Sequence, residues 1–249
     1  MATNALLMTD STKRICLWSG PRNVSTALMY SFSQRSDTTV VDEPLYAHFL
    51  RVSGARHPLR ETCMAAQDAD GNRVARESIL GPWNSPVVFF KQMAHHLVDL
   101  DLEFMRSTHN VFLTRDPKEV LPSLLLRIGQ PQMRDTGFAR QCKLIEMLED
   151  WGQAPALLDS RDLLSDPPGL LAALCKHLEI PFEPEMLRWP EGPKQFDGVW
   201  APEWYKNVHQ STGFRPYLPK PGPFPDSLRP LLEECVPYYA KLQERALRA

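Results

Sequence analysis

Five short, nearly unbroken apolar runs, interleaved with stretches of helical spacing, restrict what this chain can become more than any other feature. The runs are residues 14–19 (RICLWS), 38–41 (TTVV), 86–90 (PVVFF), 110–114 (NVFLT) and 154–158 (APALL). A strand with one wet face alternates apolar and polar residues, whereas a strand covered on both faces reads as a continuous apolar run. Each run is strand-sized, and 3.6-residue spacing fits the stretches between them. Residues 25–34 offer Ala27, Leu28, Met29 and Phe32 on one face. Further helices are predicted from Lys91 through His95, His96, Leu97 and Phe104, from Pro117 to Leu126, over 141–151, and across 163–178 with a break at Pro167-Pro168. Strands of this kind alternating with helices predict the α/β class: a central parallel sheet of about five strands flanked by helices, with ligands beyond the carboxyl ends of the strands.

Outside that pattern the chain reads differently. Residues 51–86 hold Gly54, Pro58, Gly71, Gly81, Pro82 and Pro86, which predicts a loop-rich excursion. Residues 181–225 are dense in proline and tryptophan, Trp189, Trp200 and Trp204 among them, and read as a folded-back lid. Residues 226–248 read as helical again. A length of 249 residues fits one domain, with a core over about 13–180 and the lid and last helix over 181–249. The net charge of −2 argues against a general nucleic-acid or membrane-surface binder, so an anionic ligand needs a local site. The five cysteines, Cys16, Cys63, Cys142, Cys175 and Cys235, are odd in number and never paired as CxxC, which predicts reduced thiols. The first residues, MATNALLMTDSTKR, carry no apolar core of signal-peptide length. A cytoplasmic enzyme is therefore expected, with a homodimer left open.

The chemistry concentrates in two places. Ser19-Gly20-Pro21-Arg22-Asn23-Val24-Ser25-Thr26 joins a buried strand to a helix. Backbone N–H groups at such a helix start attract an anion, Arg22 adds a charged fork, and Ser25 and Thr26 add hydroxyls. The plainer reading is that Ser25 caps the helix and Arg22 is solvated. The loop lacks the lysine of G-x-x-x-x-G-K-[ST], which an ATP-using P-loop enzyme needs. The second place is RDPKEVLPS, where Arg115 follows the fourth run and Ser123 lies about two helical turns on. Here the plainer reading is an Arg115–Asp116 ion pair and a helix hydroxyl at Ser123.

Together these motifs resemble those of the sulfotransferases, a family with a P-loop NTPase-like fold. Residues 19–26 resemble the 5′-phosphosulfate loop, with Arg22 on its basic position and Ser25 and Thr26 on its hydroxyl positions. Val24 stands where glycine is common, so the loop needs a backbone path open to valine. Arg115 and Ser123 resemble the 3′-phosphate motif. Residues 156–167 and 174–182 resemble the late strand and helix of bacterial members, and 197–205 with Ser211-Thr212-Gly213-Phe214 the closing segment of one subgroup. The resemblance implies a transferase that moves a sulfuryl group from 3′-phosphoadenosine-5′-phosphosulfate (PAPS) to a hydroxyl or amine of a small molecule. It implies no metal, and donor contacts from Gly20 to Thr26, Arg115, Ser123, Ser211 and Thr212.

An acceptor that attacks sulfur must lose a proton, and a side chain titrating near the working pH serves best. Glu43 ends the second run before Pro44, where carbohydrate-acting sulfotransferases place a catalytic glutamate, and Asp42 beside it can raise its pKa. Cytosolic sulfotransferases set a lysine and a histidine two residues apart after the third strand. Lys91 matches, Met93 holds the histidine position, and His95 comes two residues late. Glu43, His95 and His96 all stay open as the base. Lys91 and Arg22 are expected to neutralise charge on the transferred group. The rivals are a nucleotide-dependent kinase, a degenerate domain that binds an adenosine phosphate or a protein partner, and a zinc site of His48, His57, His95 and His96, which lacks recognisable ligand spacing.

Overall fold

The apolar runs become β1 (Lys13–Ser19), β2 (Thr38–Asp42), β3 (Val87–Met93), β4 (His109–Thr114) and β5 (Ala156–Asp159). The computed structural model describes residues 12–219 and 222–249; the expectation about the chain's opening residues lies outside these. The strands form one sheet in the order β2-β3-β1-β4-β5, parallel at every pairing. Successive side chains of a strand point to opposite faces, and both faces are covered. Ile15 and Leu17 share one core with Phe89, Val111 and Leu113; Cys16 and Trp18 share the other with Phe90 and Phe112. The helices Ser25–Phe32 and Pro167–His177 lie over the first face, and Phe138–Asp150 and Arg229–Glu244 over the second. This double burial is why the runs are unbroken. All five cysteines are buried free thiols.

β1 sits in the middle, with β2 and β3 on one side and β4 and β5 on the other. Connections leaving the centre diverge there, and the carboxyl end of β1 is the topological switch point where such sheets open a crevice. That geometry, more than any one residue, places the site.

Two expectations need correction. Residues 51–86 are not mainly loop. They hold the end of the helix Tyr46–Ser53, the helix Arg60–Ala66, and a turn over Gly71–Arg73 that widens into a π-helical stretch at Val74–Ile79. Gly54 and Gly71 served as breakers in the sequence, but Gly54 only closes a helix, in the left-handed conformation. Gly71 sits where an added Cβ would strike the His48 ring. The helix expected after Lys91 is also absent. β3 continues through Met93, and only 3₁₀ turns follow, at Ala94–His96 and Glu103–Ser107, so Lys91 is a strand residue. Residues 181–219 fold back onto the domain. The Tyr30 hydroxyl donates to Asp197 at 2.7 Å, the Gly198 N–H donates to Asp42 at 3.0 Å, and Trp189 and Trp200 are buried.

Candidate active site

A cavity of about 1060 Å³ opens at the carboxyl ends of β1, β2 and β3 and is lined by Pro21, Arg22, Asn23, Ser25, Thr26, Glu43, Lys91, His95 and His96 among others. The loop after β1 solves its valine problem simply. Val24 takes φ −94°, open to any residue, and Arg22 carries the left-handed conformation at φ 58°. A non-glycine there costs about 1–3 kcal/mol and persists only when its surroundings impose it. They do: Arg22 Nε donates to Ser123 Oγ at 2.9 Å, and Arg115 donates to the Arg22 carbonyl at 3.1 Å. Asn23 acts as a brace rather than a ligand, its Oδ1 accepting from the Ser25 N–H at 3.0 Å and its Nδ2 donating to the Leu113 carbonyl at 3.1 Å. Ser25 does not cap the helix, because Val24 holds that position without a side-chain bond. A Cβ on Gly20 would sit 3.0 Å from the Thr136 carbonyl, so the loop lies tight against that neighbour.

Arg115 and Ser123 thus meet the first loop through Arg22. The ion pair expected of Arg115 exists, but with Glu119 at 2.6 Å in place of Asp116; Asp116 caps the helix Pro117–Ile128 through the Lys118 N–H. Arg22 sits close to Arg127 and Arg115. Its pKa is pushed down by burial first and then by those two charges. Arg115 has Glu119 as its counter-ion, but the crowding of Arg22 by Arg115 and Arg127 is what an anion would relieve.

Opposite this cluster lies a buried group of unusual density. Lys91 is 2% exposed, and its ammonium donates to Glu43 Oε1, to the Tyr205 hydroxyl at 2.7 Å and pairs with Asp42 at 3.3 Å. All three ammonium protons are therefore directed at protein groups. Tyr205 donates to Asp42 at 2.8 Å and accepts from Trp200 Nε1 at 3.1 Å. Burial alone would lower the Lys91 pKa, but Asp42 and Glu43 outweigh it, so the ammonium stays charged. Burial pushes the Glu43 carboxyl up, Asp42 adds to the push, and Lys91 opposes both. Glu43 is held in a left-handed conformation at φ 40° by its N–H on the Lys91 carbonyl at 2.7 Å and by Gln67 on its carbonyl at 3.0 Å.

The free oxygen Oε2 of Glu43 faces His96 Nδ1 at 3.7 Å. The His96 ring lies between Phe49 at 4.3 Å and Tyr46 at 5.0 Å. Burial drives His96 well below the usual imidazole range and His95 down to about 3. Both are neutral near pH 7, with Nδ1 atoms that are buried and unpartnered. His48 is spent elsewhere, its Nε2 on the Val98 carbonyl at 2.8 Å and its Nδ1 on the Gly71 N–H at 3.1 Å.

Ser211 and Thr212 fall apart from the cavity. They line a separate concavity with Arg188, Trp189 and Arg215, and the Ser211 hydroxyl donates to the Val208 carbonyl at 2.7 Å while accepting from Trp189. Sequence reasoning missed Tyr205 and Trp200 as site residues, and Arg127, Arg140 and Lys143 on the cavity wall. Arg127 follows Ser123 by four residues, one helical turn, which was the available signal. Tyr205 ends the segment 197–205 that resembles the family's closing stretch, but nothing in the sequence marks its hydroxyl as a site group. Among the described residues no cluster of three or more His, Cys, Asp or Glu is placed to hold a metal, and no helix is long and apolar enough to cross a membrane.

Comparison with known proteins supplies the family. Residues 13–246 match the family model described as Sulfotransferase domain. The sulfotransferase domain of the curacin biosynthetic pathway superposes with TM-score 0.51 at 17% identity, covering 90% of this chain and 97% of that one. The sulfotransferase domain of the Synechococcus PCC 7002 olefin synthase does so with TM-score 0.51 at 14% identity, covering 90% and 94%; at such identities the likeness is one of fold. Two Arabidopsis thaliana proteins, branched-chain-amino-acid aminotransferase-like proteins 1 and 2, are 40% and 39% identical over 223 residues. Those matches cover 89% of this chain but 40% of each relative, so the chain spans about two fifths of their length. With nearly its whole length inside the family model, the chain belongs to the sulfotransferase-domain family.

Proposed function

We propose that this sulfotransferase uses PAPS as donor and passes the sulfuryl group to a hydroxyl or amine of a small molecule, with Glu43 as the base. The observation that carries this reading is the convergence on Arg22. The loop after β1, the end of β4 and the helix Pro117–Ile128 meet there through Ser123 at 2.9 Å and Arg115 at 3.1 Å. A donor phosphorylated at both ends needs two anion sites coupled in this way. The loop from Gly20 to Thr26 takes the 5′-phosphosulfate, and Arg115 and Ser123 the 3′-phosphate. Ser211 and Thr212 stay out of the donor site, since they line a different concavity.

In the transfer, the acceptor oxygen or nitrogen forms a bond to sulfur as sulfur's bond to the 5′-phosphate oxygen breaks. The acceptor proton passes to Glu43 Oε2, and the electron pair leaves on the phosphate oxygen beside Arg22. Glu43 is the better base because burial and Asp42 raise its pKa toward the working range, whereas an imidazole depressed to about 3 accepts a proton poorly. Lys91 holds Glu43 Oε1 and leaves Oε2 for the acceptor, which replaces its expected role at the sulfonate.

Nucleotide binding tests the donor. Adenosine 3′,5′-bisphosphate should raise the melting temperature far more than 5′-AMP, since each charge-assisted bond to the extra phosphate contributes about 1.5–3 kcal/mol. Equal shifts from both nucleotides would remove Arg115 and Ser123 from the donor site.

A further inference from the structure

The cavity extends beyond the groups that the donor and the base account for. Arg140 and Lys143 line it from the helix Phe138–Asp150, one turn apart and on one face. The Arg140 guanidinium donates to the Leu97 carbonyl at 2.7 Å, and Leu97 directly follows the turn that carries His95 and His96. Arg140 is therefore anchored at the Glu43 end of the cavity, while Arg22 is anchored to Ser123. The Nε of Arg140 is buried and without a hydrogen-bond partner. Burial lowers its pKa, and no neighbouring carboxylate offsets that push. An arginine that is half-buried, short of a partner and beside a second cation is an unpaid electrostatic cost unless an anion arrives. The wall facing this end is aromatic: Tyr46, Phe49, His57, Trp200 and Trp204 all line the cavity.

We infer that the acceptor is a planar, apolar or aromatic molecule that carries a carboxylate or phosphate, and that Arg140 and Lys143 hold this anion while the aromatic wall holds the ring. This rests on the sulfotransferase reading for the reacting group, but the recognition of the anion does not depend on the donor's identity. The aromatic faces supply the apolar contact and offset stacking, and the guanidinium fork supplies two-point recognition of a carboxylate or phosphate.

Three probes that share a 4-hydroxyphenylethyl unit decide it: 4-ethylphenol, tyramine, and 3-(4-hydroxyphenyl)propionate, whose tails end in hydrogen, an ammonium and a carboxylate. Calorimetry with the protein, both free and loaded with adenosine 3′,5′-bisphosphate, should show the propionate binding about tenfold or more tighter than 4-ethylphenol, with tyramine weakest. Lys143→Gln, an exposed position that folding tolerates, and Arg140→Gln should each lower that preference severalfold. The inference is overturned if the three probes bind alike, if none binds, or if both variants keep the preference. It is also overturned if Arg140→Gln abolishes nucleotide binding and leaves the propionate's affinity unchanged, which assigns Arg140 to the donor. A wild-type protein that prefers the propionate yet ignores the bisphosphate would instead sink the PAPS reading and leave the anion site standing.

Discussion

In the proposed transfer Glu43 and Arg22 take separate roles, and each has a separable signature. Replacing a general base costs about 10²–10⁴ in turnover, so Glu43→Gln should lose that much while still binding adenosine 3′,5′-bisphosphate. A base works deprotonated, so wild-type activity should climb as pH rises through the Glu43 pKa, which burial and Asp42 have raised. In Glu43→Gln that acidic limb should vanish; a pH–rate profile with the wild-type limb intact would return the role to His95 or His96. Arg22→Ala should lower kcat most, because the leaving oxygen gains its charge only in the transition state. Arg115→Ala should act chiefly on donor binding, and steady-state kinetics showing only KM changes in both would void the distinction. At this scale the sequence made legible that two motifs of fixed spacing belong together, since Arg115 and Ser123 both meet Arg22. It was not legible for Arg140 or Tyr205, whose roles come from what the fold brings beside them: a carbonyl 43 residues away for one and Asp42, 163 residues away, for the other.

The elements around the cavity are joined by charge as well as by packing. β2 supplies Asp42, β3 supplies Lys91, and the segment after Trp200 supplies Tyr205, all meeting at bonds of 2.7–2.8 Å with the tyrosine hydroxyl. Tyr205→Phe leaves a buried carboxylate, an ammonium and an indole N–H each short of a partner, and should cost about 1–3 kcal/mol in urea unfolding. Lys91→Met is harsher. It removes the cation that two buried carboxylates face, and although Asp42 keeps its bonds from Tyr205 and Gly198, Glu43 is left stranded; breaking such a pair costs about 3–5 kcal/mol. Burial already raises the Glu43 pKa, and without Lys91 to oppose it the folded-state value lies further above the unfolded one, so the folded form takes up a proton and regains stability as pH falls. The deficit of Lys91→Met should therefore be largest near pH 8 and shrink toward pH 5, and a pH-independent deficit would mean that Glu43 finds another partner. The same knot explains the misread elements. Periodicity finds strands that are apolar on both faces, but β3 ends in Lys91, Gln92 and Met93, whose polar members looked like the start of a helix. Only the pairing of Asp42 with Lys91 across β2 and β3 makes a buried lysine a strand residue.

For the molecule as a whole, a net charge of −2 hides a strongly polar distribution. The cavity is lined by Arg22, Arg56, Lys91, Arg127, Arg134, Arg140 and Lys143, against Glu43 and Asp135 as its acidic members. A cleft of one sign focuses the field and draws an opposite charge faster than diffusion alone, whatever the net charge of the surface. The donor proposed here is a multiply charged anion, so its association should be steered. The Debye length falls from about 30 Å at 0.01 M salt to about 8 Å at 0.15 M, shorter than the approach to a cavity of this size. Trp200 and Trp204 line that cavity, so their fluorescence gives a direct stopped-flow signal. The association rate of adenosine 3′,5′-bisphosphate should drop severalfold over that range of salt, with a much smaller change in dissociation, since the bound phosphates sit against partly buried groups that salt screens less. Charge reversal at Arg134 should flatten the dependence without altering the chemistry, because it removes an exposed steering charge whose ion pair is with its neighbour Asp135. An association rate indifferent to salt in the wild type would mean that the cavity's cations are matched by anions of the protein itself. The case for an anionic donor would then rest on the motifs at Arg22 and Arg115 alone.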